Sequence, residues 1–257
     1  MMYLLVCTVA LIASILTFFA GFGLGTLLMP AMVLFFEPKA AIAMTAVVHL
    51  LNGLLKFSLV ARFTRWNVAL KFGAPAIAAA FVGAGCLKQL ARQAPLFSYQ
   101  ALNRTHDITL IKLVMALLMV GFALLELSKR WQAKEFSPQL APFGGLLSGF
   151  FGGLSGHQGA LRAAFLVRFG LTKEAFVATS AFISTSVDLT RLSVYGFDTQ
   201  RLDLQAQLPL LMAATASAFA GVIIGNRLLK KVTLAHVQRT VTAMLVVVAL
   251  GLATGFF

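Results

Sequence analysis

Apolar runs lie at 3–20, 24–36, 40–60, 69–87, 108–127, 140–151, 159–169, 175–195, 206–229 and 237–256, separated by short polar stretches. The separators are Glu37-Pro38-Lys39, Arg62 to Asn67, Lys88 to Asp107, Ser128 to Ser137, Thr172 to Glu174, Gly196 to Asp203 and Lys230 to His236. About 20 residues of helix cross a hydrocarbon core roughly 30 Å thick. The pattern predicts an all-α polytopic membrane protein. Two interruptions have a different character: AGFGLG (20–25) and FGGLSGHQGALR (151–162) break apolar sequence with glycines rather than charges.

The chain repeats itself. Shifted by 134 positions, 21–46 lies on 155–180, so that Gly25 falls on Gly159, Lys39 on Lys173, Thr45 on Thr179 and, further on, Pro75 on Pro209. Each half has the same order, a glycine-broken helical hairpin followed by three transmembrane helices. The first repeat is 1–136, with hairpin 3–36 and helices 40–60, 69–87 and 108–127. The second is 137–257, with hairpin 140–169 and helices 175–195, 206–229 and 237–256.

Charge decides how the halves are related. If each hairpin enters and leaves on one side, Arg62, Arg65, Lys71, Lys129, Arg130, Lys134, Arg168, Lys173, Lys230, Lys231 and Arg239 share a side. Lys39, Lys88, Arg92, Arg104 and Arg201 fall on the other. The larger set is assigned to the cytoplasm by the positive-inside rule. Reading each hairpin as one crossing helix gives a nearly even split. Three net crossings per half then make the two repeats inverted, with both termini on the outer face of the inner (plasma) membrane. Secondary transporters built this way bind substrate near the midplane, where the repeats meet. Whether the hairpins fully cross or are re-entrant is open at this point.

Composition agrees. Of 257 residues, 60% are hydrophobic and 11% charged, against roughly 25% charged in soluble domains. The net charge of +13 sits mostly between apolar runs, where headgroups account for it, so nucleic acid is not an expected partner. Cys7 and Cys86 lack CxxC or metal spacing and read as small hydrophobes. The N-terminus lacks the basic region of a signal peptide and is expected to be a retained first helix. No cofactor or metal is expected.

The glycine breaks carry the first candidate chemistry. A helix interrupted in the membrane exposes N–H groups at the start of its second half, and these attract an anion together with the helix dipole. Gly21, Gly23 and Gly25 mark the first break; Gly152, Gly153, Gly156 and Gly159 mark the second. Lipid cannot satisfy such groups, so they face protein or a wet cavity. The alternative is that the glycines only allow close helix packing.

Polar side chains add to this. Arg162 lies one turn beyond the second break, where the first half has Leu28, so the hairpin fold does not require its charge. Its planar fork suits carboxylate, sulfonate or phosphate oxygens, unless it reaches out to the headgroups. His157 and Gln158 stand at the break as hydrogen-bond donors, and His157 is also a candidate proton carrier. In 43–60, Thr45, His49, Asn52 and Lys56 share one helical face. In 177–195, Thr179, Ser180, Ser184, Ser186, Asp188 and Arg191 recur, with Arg191 near the depth of Lys56. Two cations with hydroxyls and amides suit an oxyanion; alternatively Asp188 and Arg191 neutralise each other and Lys56 reaches the interface near Arg62. Lys112 and Glu126 read as interface anchors. No Gly-x-Ser-x-Gly, His-Glu-x-x-His, P-loop or dinucleotide fingerprint is present, which argues against an enzyme.

AGFGLGTLLMPAMVLFFEPKAAIAMTA and GGLSGHQGALRAAFLVRFGLTKEAFVATSA resemble the paired hairpins of the TauE/SafE family of sulfite and organosulfonate exporters. The family pattern is a glycine-rich turn, a small apolar half-helix often bearing proline (here Pro30), a polar loop, and a helix opening with Ala-x-x-Thr-Ser or similar. The resemblance spans nearly the whole chain. It implies transport of a small sulfur-containing or organic anion such as sulfite, a sulfonate or sulfoacetate. GHQGALR departs from the additional glycines the family more often has there, which points to a subgroup with its own substrate.

The substrate-binding set expected is therefore Gly23, Gly25, Thr45, His49, Asn52, Lys56, Gly156, His157, Gln158, Gly159, Arg162, Thr179, Ser180 and Arg191. Its expected partners are a small anion and the bilayer, with association into a homo-oligomer left open. An anion leaving a negative-inside cell gains about 2.3 kcal/mol per charge per 100 mV, so export need not consume a proton, whereas uptake would. The rivals are a channel-like or cation permease centred on Asp188, an intramembrane enzyme, and a non-transporting subunit.

Overall fold

The computed structural model describes residues 1–16, 24–101, 104–132, 136–196, 206–228 and 245–256. The helices are α1 (Met2–Leu16), α2 (Leu24–Val33), α3 (Pro38–Val60), α4 (Trp66–Leu90), α5 (Leu110–Leu127), α6 (Lys129–Gln132), α7 (Ala141–Ser155), α8 (Gly159–Leu166), α9 (Lys173–Gly196) and α10 (Leu208–Leu228). Residues 245–253 form a last helical stretch. Among the described residues, Pro38–Phe63, Trp66–Leu90 and Leu208–Gly225 are long and apolar enough to cross a membrane.

The polar stretch after α4 adds one short element to the otherwise all-α fold. It contains an antiparallel ribbon, β1 (Phe97–Ala101) with β2 (Arg104–Ile108), pairing Phe97 with Ile108 and Tyr99 with His106. The ribbon is tied to the C-terminal stretch: the Tyr99 hydroxyl donates to the Thr254 carbonyl at 2.6 Å, and the His106 ring stacks between Tyr99 and Phe256.

The second half of each hairpin is short. α2 has 10 residues and α8 has 8, about 15 Å and about 12 Å of helix, so neither crosses a bilayer core alone. Every residue of α2 is buried. Pro30 is tolerated inside it because surrounding protein, not lipid, encloses the helix.

Four helix pairs organise the bundle: α4 with α7, α1 with α10, α3 with α9, and α4 with α9. The α4–α7 pair approaches most closely. Gly145, Gly149 and Gly153, spaced four apart on α7, face the backbone of Phe72, Ala76 and Ala80 on α4. A Cβ on these glycines would stand 2.2, 2.0 and 2.2 Å from the three carbonyl oxygens, closer than any van der Waals contact permits. Small residues at this spacing let membrane helices touch backbone to backbone.

The second break needs correcting. Gly152 and Gly153 are not at the interruption but inside α7, which continues to Ser155. There a Cβ on Gly152 would lie 2.9 Å from Val187 Cγ1. Both glycines therefore serve packing, and the chain breaks three residues later, over Gly156–Gln158.

α9 is the exceptional long helix. It runs 24 residues but carries Lys173, Glu174, Asp188 and Arg191 among many hydroxyls, and it does not qualify as an apolar span. It is packed instead against α3, α4 and α7. A helix with ionised groups at membrane depth has to be enclosed by others.

Candidate functional site

α7 ends because Gly156 adopts φ +81°, a left-handed conformation that glycine takes without steric penalty. The Gly156 N–H closes the helix onto the Gly152 carbonyl at 2.9 Å. α8 then starts at Gly159, and the Arg162 N–H donates to the Gln158 carbonyl at 3.0 Å. The N–H groups of Gly159, Ala160 and Leu161 precede that bond, so α8 leaves them without intrahelical partners.

The start of α2 meets the second break. A Cβ on Gly25, in the first turn of α2, would lie 3.5 Å from the Gly156 carbonyl, 3.9 Å from the His49 ring and 3.9 Å from Thr45 Cγ2. Gly23 lies outside the described residues.

Arg162 is 7% exposed and does not reach the headgroups. Its Nε donates to Ser180 Oγ at 2.6 Å and its Nη1 to Gln158 Oε1 at 3.0 Å. Both partners are neutral, and no carboxylate among the described residues forms an ion pair with it. Gln158 is held in turn by Ser148, whose hydroxyl donates to the Gln158 carbonyl at 3.2 Å. The Gln158 Nε2 is buried with no hydrogen-bond partner among the described residues.

His157 is also buried. Its Nδ1 is 3.1 Å from Ser155 Oγ, its ring stacks on Phe122 with centroids 5.5 Å apart, and its Nε2 has no partner among the described residues. Orphaned polar atoms are uncommon inside proteins. Two such atoms stand at adjacent residues of one helix break.

A charged cluster lies across the break. Asp188 is 0% exposed and Arg191 is 1% exposed. One Asp188 oxygen meets His49 Nδ1 of α3. The other is 2.8 Å from Arg191 Nη2, too poorly aligned to count as a hydrogen bond. A Cβ on Gly156 would stand 2.6 Å from Arg191 Nη1, so the guanidinium lies against the backbone of the break. Arg191 and Asp188 do pair, as one of the sequence alternatives held. Sequence reasoning missed the His49–Asp188 contact, which joins residues 139 apart.

The remaining expected residues divide. The Thr45 hydroxyl is buried without a partner and its methyl lies near Gly25. Asn52 is buried, but its Oδ1 accepts from the Ser14 hydroxyl at 2.9 Å. Lys56 is half-buried on α3. Thr179, adjacent in sequence to Ser180, points elsewhere and accepts from the Arg65 backbone N–H at 3.1 Å. Thus α2, α3, the α7–α8 break, α8 and α9 gather His49, His157, Gln158, Arg162, Ser180, Asp188 and Arg191 inside the bundle, while Thr179 is used in a helix-to-loop contact.

Among the described residues, no cluster of three or more His, Cys, Asp or Glu side chains is arranged to hold a metal. Comparison with curated proteins and with solved structures gives no match. Comparison with protein families matches residues 6–252, through both glycine-broken hairpins and α9, to the sulfite exporter TauE/SafE family, and the chain belongs to that family of membrane transporters.

Proposed function

We propose that this protein is a secondary transporter, working as an exporter, of a small sulfur-containing or organic oxyanion. Sulfite, a sulfonate or a sulfoacetate-like compound is the substrate class. The observation that carries the reading is Arg162, a guanidinium inside the bundle beside a helix break, whose hydrogen-bond partners among the described residues are the neutral Gln158 and Ser180. A buried charge without a carboxylate in contact is costly, and a bound anion lowers that cost. The Gln158 Nε2 and Thr45 hydroxyl, without partners among the described residues, and the N–H groups opening α8 would donate to its oxygens. Arg191 and Lys56 would add positive charge.

The packing supports two inverted repeats, 1–136 and 137–257. The 134-residue shift carries α1 to α7, α2 to α8, α3 to α9 and α4 to α10. Exchanging the halves then turns the α4–α7 pair into the α10–α1 pair, maps α3–α9 onto itself and turns α4–α9 into α10–α3, all of which are packed pairs. A two-fold relation in the membrane plane gives this pattern. Transport would proceed by one half rocking against the other in the cell (inner) membrane, both termini outside. A cation permease centred on Asp188 is disfavoured, because His49 and Arg191 already occupy both carboxylate oxygens.

The test is thermal stabilisation of the purified protein by sulfite, thiosulfate, sulfonates, carboxylates and sulfate. A ligand at a hundredfold excess over its Kd adds about 2.7 kcal/mol of stability by mass action. Stabilisation by one anion class, lost in Arg162→Ala, is expected. Equal response of wild type and Arg162→Ala to every anion would reject the site.

A further inference from the structure

We propose that the anion held at the α7–α8 break carries a hydrogen-bond donor of its own, an O–H or N–H group, which His157 Nε2 accepts. The inference rests on the anion reading above and narrows its substrate class.

The hydrogen bonds around His157 fix its tautomer. The Ser155 hydroxyl reaches back along α7 to the Phe151 carbonyl at 3.1 Å, and a carbonyl only accepts. The hydroxyl proton is used there, so Ser155 Oγ meets His157 Nδ1, 3.1 Å away, as an acceptor. The proton between them therefore sits on Nδ1. The reverse assignment, with Ser155 donating to Nδ1, makes one hydrogen bond where this chain makes two, and buried groups favour the fuller network. The ring is also neutral. Arg191 lies against the adjacent Gly156, no carboxylate among the described residues contacts His157, and a second buried cation there would lack a counter-charge. A neutral imidazole protonated at Nδ1 has a bare lone pair on Nε2.

That lone pair is fixed in place. His157 is 2% exposed. Its face stacks on Phe122, which meets Phe151 edge-on, so turning the ring would break the stack and the Ser155 contact together. Nε2 has no partner among the described residues. The neighbouring groups have the opposite chemistry. Gln158 Oε1 is taken by Arg162, which leaves the Gln158 amide as a donor, and the guanidinium groups of Arg162 and Arg191 only donate. The oxygens of an anion satisfy these donors but repel the lone pair of Nε2. Another part of the ligand has to bring a hydrogen to it. At this atom His157 is an acceptor, where its place at the break had suggested a donor.

The hydrogen can sit on the oxyanion head, as in a singly protonated phosphonate, or on the tail, as in a hydroxyalkanesulfonate. Sulfate and simple alkanesulfonates have neither. A site that hydrogen-bonds a ligand hydroxyl rejects the analogue lacking it, because its own buried polar atom is left unpaired.

The experiment measures Kd on the purified full chain for two matched pairs of monoanions. Hydroxyethanesulfonate and propanesulfonate differ by a terminal hydroxyl against a methyl group. Methylphosphonate, singly charged at mildly acidic pH, and methanesulfonate differ by an O–H on the head. In wild type the donor-bearing member of at least one pair is expected to bind tighter, on the order of tenfold, and the pair that shows it places the donor on head or tail. In His157→Asn, whose amide still reaches Ser155 but which lacks the far acceptor, the ratio falls to about one. In His157→Gln, whose carbonyl reaches the Nε2 position, it persists. Ser155→Ala lets the neutral ring carry its proton on either nitrogen and lowers the ratio with the imidazole still present, which a histidine serving packing alone would not do. Nitrogen NMR of the ligand-free protein, with His157 assigned by its loss in His157→Asn, is expected to show Nε2 unprotonated. Equal or tighter binding of the aprotic members or of sulfate in wild type, lost in Arg162→Ala, overturns the donor and leaves the anion reading standing. A protonated Nε2 overturns it as well. The wild-type ratios decide the matter even where a variant fails to fold. If no anion of the pairs or of the panel above binds, the anion reading fails and the donor fails with it.

Discussion

Two seams hold this bundle, and they work in opposite ways. Along α4–α7, glycines four residues apart meet carbonyl oxygens with no room for a methyl group. Along α3–α9, His49 meets Asp188 beside Arg191, with several polar atoms left unsatisfied. The first seam gains from many small dispersion contacts and has one packed arrangement. The second trades ion-pair energy against the cost of burying charge, which leaves it close to balance and open to change by a ligand. α7 belongs to both. Its rigid stripe ends at Gly153, whose carbonyl accepts from the Tyr195 hydroxyl at 2.5 Å, and three residues later Gly156 opens the break beneath Arg191. The dry seam thus acts as the mount on which the polar one is aimed.

That contrast can be tested by substitutions of decreasing effect. Asp188→Ala strands Arg191 and His49 and should cost about 4 kcal/mol, as breaking buried ion pairs does, read as a loss of thermal stability in detergent. Wild-type stability in this variant would show that the polar seam is hydrated rather than buried. Gly149→Ala should cost about 3 kcal/mol by overpacking, since α4 and α7 must move apart. Tolerance of the methyl group would remove the distinction between the seams. Arg162→Ala should leave the empty protein about as stable as wild type yet abolish ligand stabilisation of about 2.7 kcal/mol at a hundredfold excess of anion over Kd. Tyr195→Phe should cost about 1 kcal/mol, one hydrogen bond, and shift the melting temperature slightly; a larger loss would mean that this hydroxyl also serves the site.

Much of the helical layout was legible. The expected 40–60, 69–87 and 175–195 correspond to Pro38–Val60, Trp66–Leu90 and Lys173–Gly196, because the length needed to cross a bilayer leaves little freedom in placing long apolar runs. The ribbon was missed although Phe97, Tyr99 and Ala101 alternate with Ser98 and Gln100. That period-two signal was hidden inside a segment read only as polar punctuation. The break was misplaced because α7 glycines with two different duties, close contact at Gly145, Gly149 and Gly153 and a left-handed bend at Gly156, look alike as letters.

Composition and periodicity alone determined that this chain folds in a bilayer and which segments are long helices, and they singled out the glycine interruptions and Arg162 while leaving open whether that side chain is enclosed or reaches the headgroups. Each follows from the solvent: hydrocarbon cannot hydrogen-bond a backbone or solvate an ion. Which polar groups meet was decided by tertiary packing. Ser180 turns to Arg162 while its neighbour Thr179 turns to the backbone of Arg65, and His49 finds Asp188 across 139 residues. Helical periodicity places residues on a face, but only the approach of a second helix determines what that face touches.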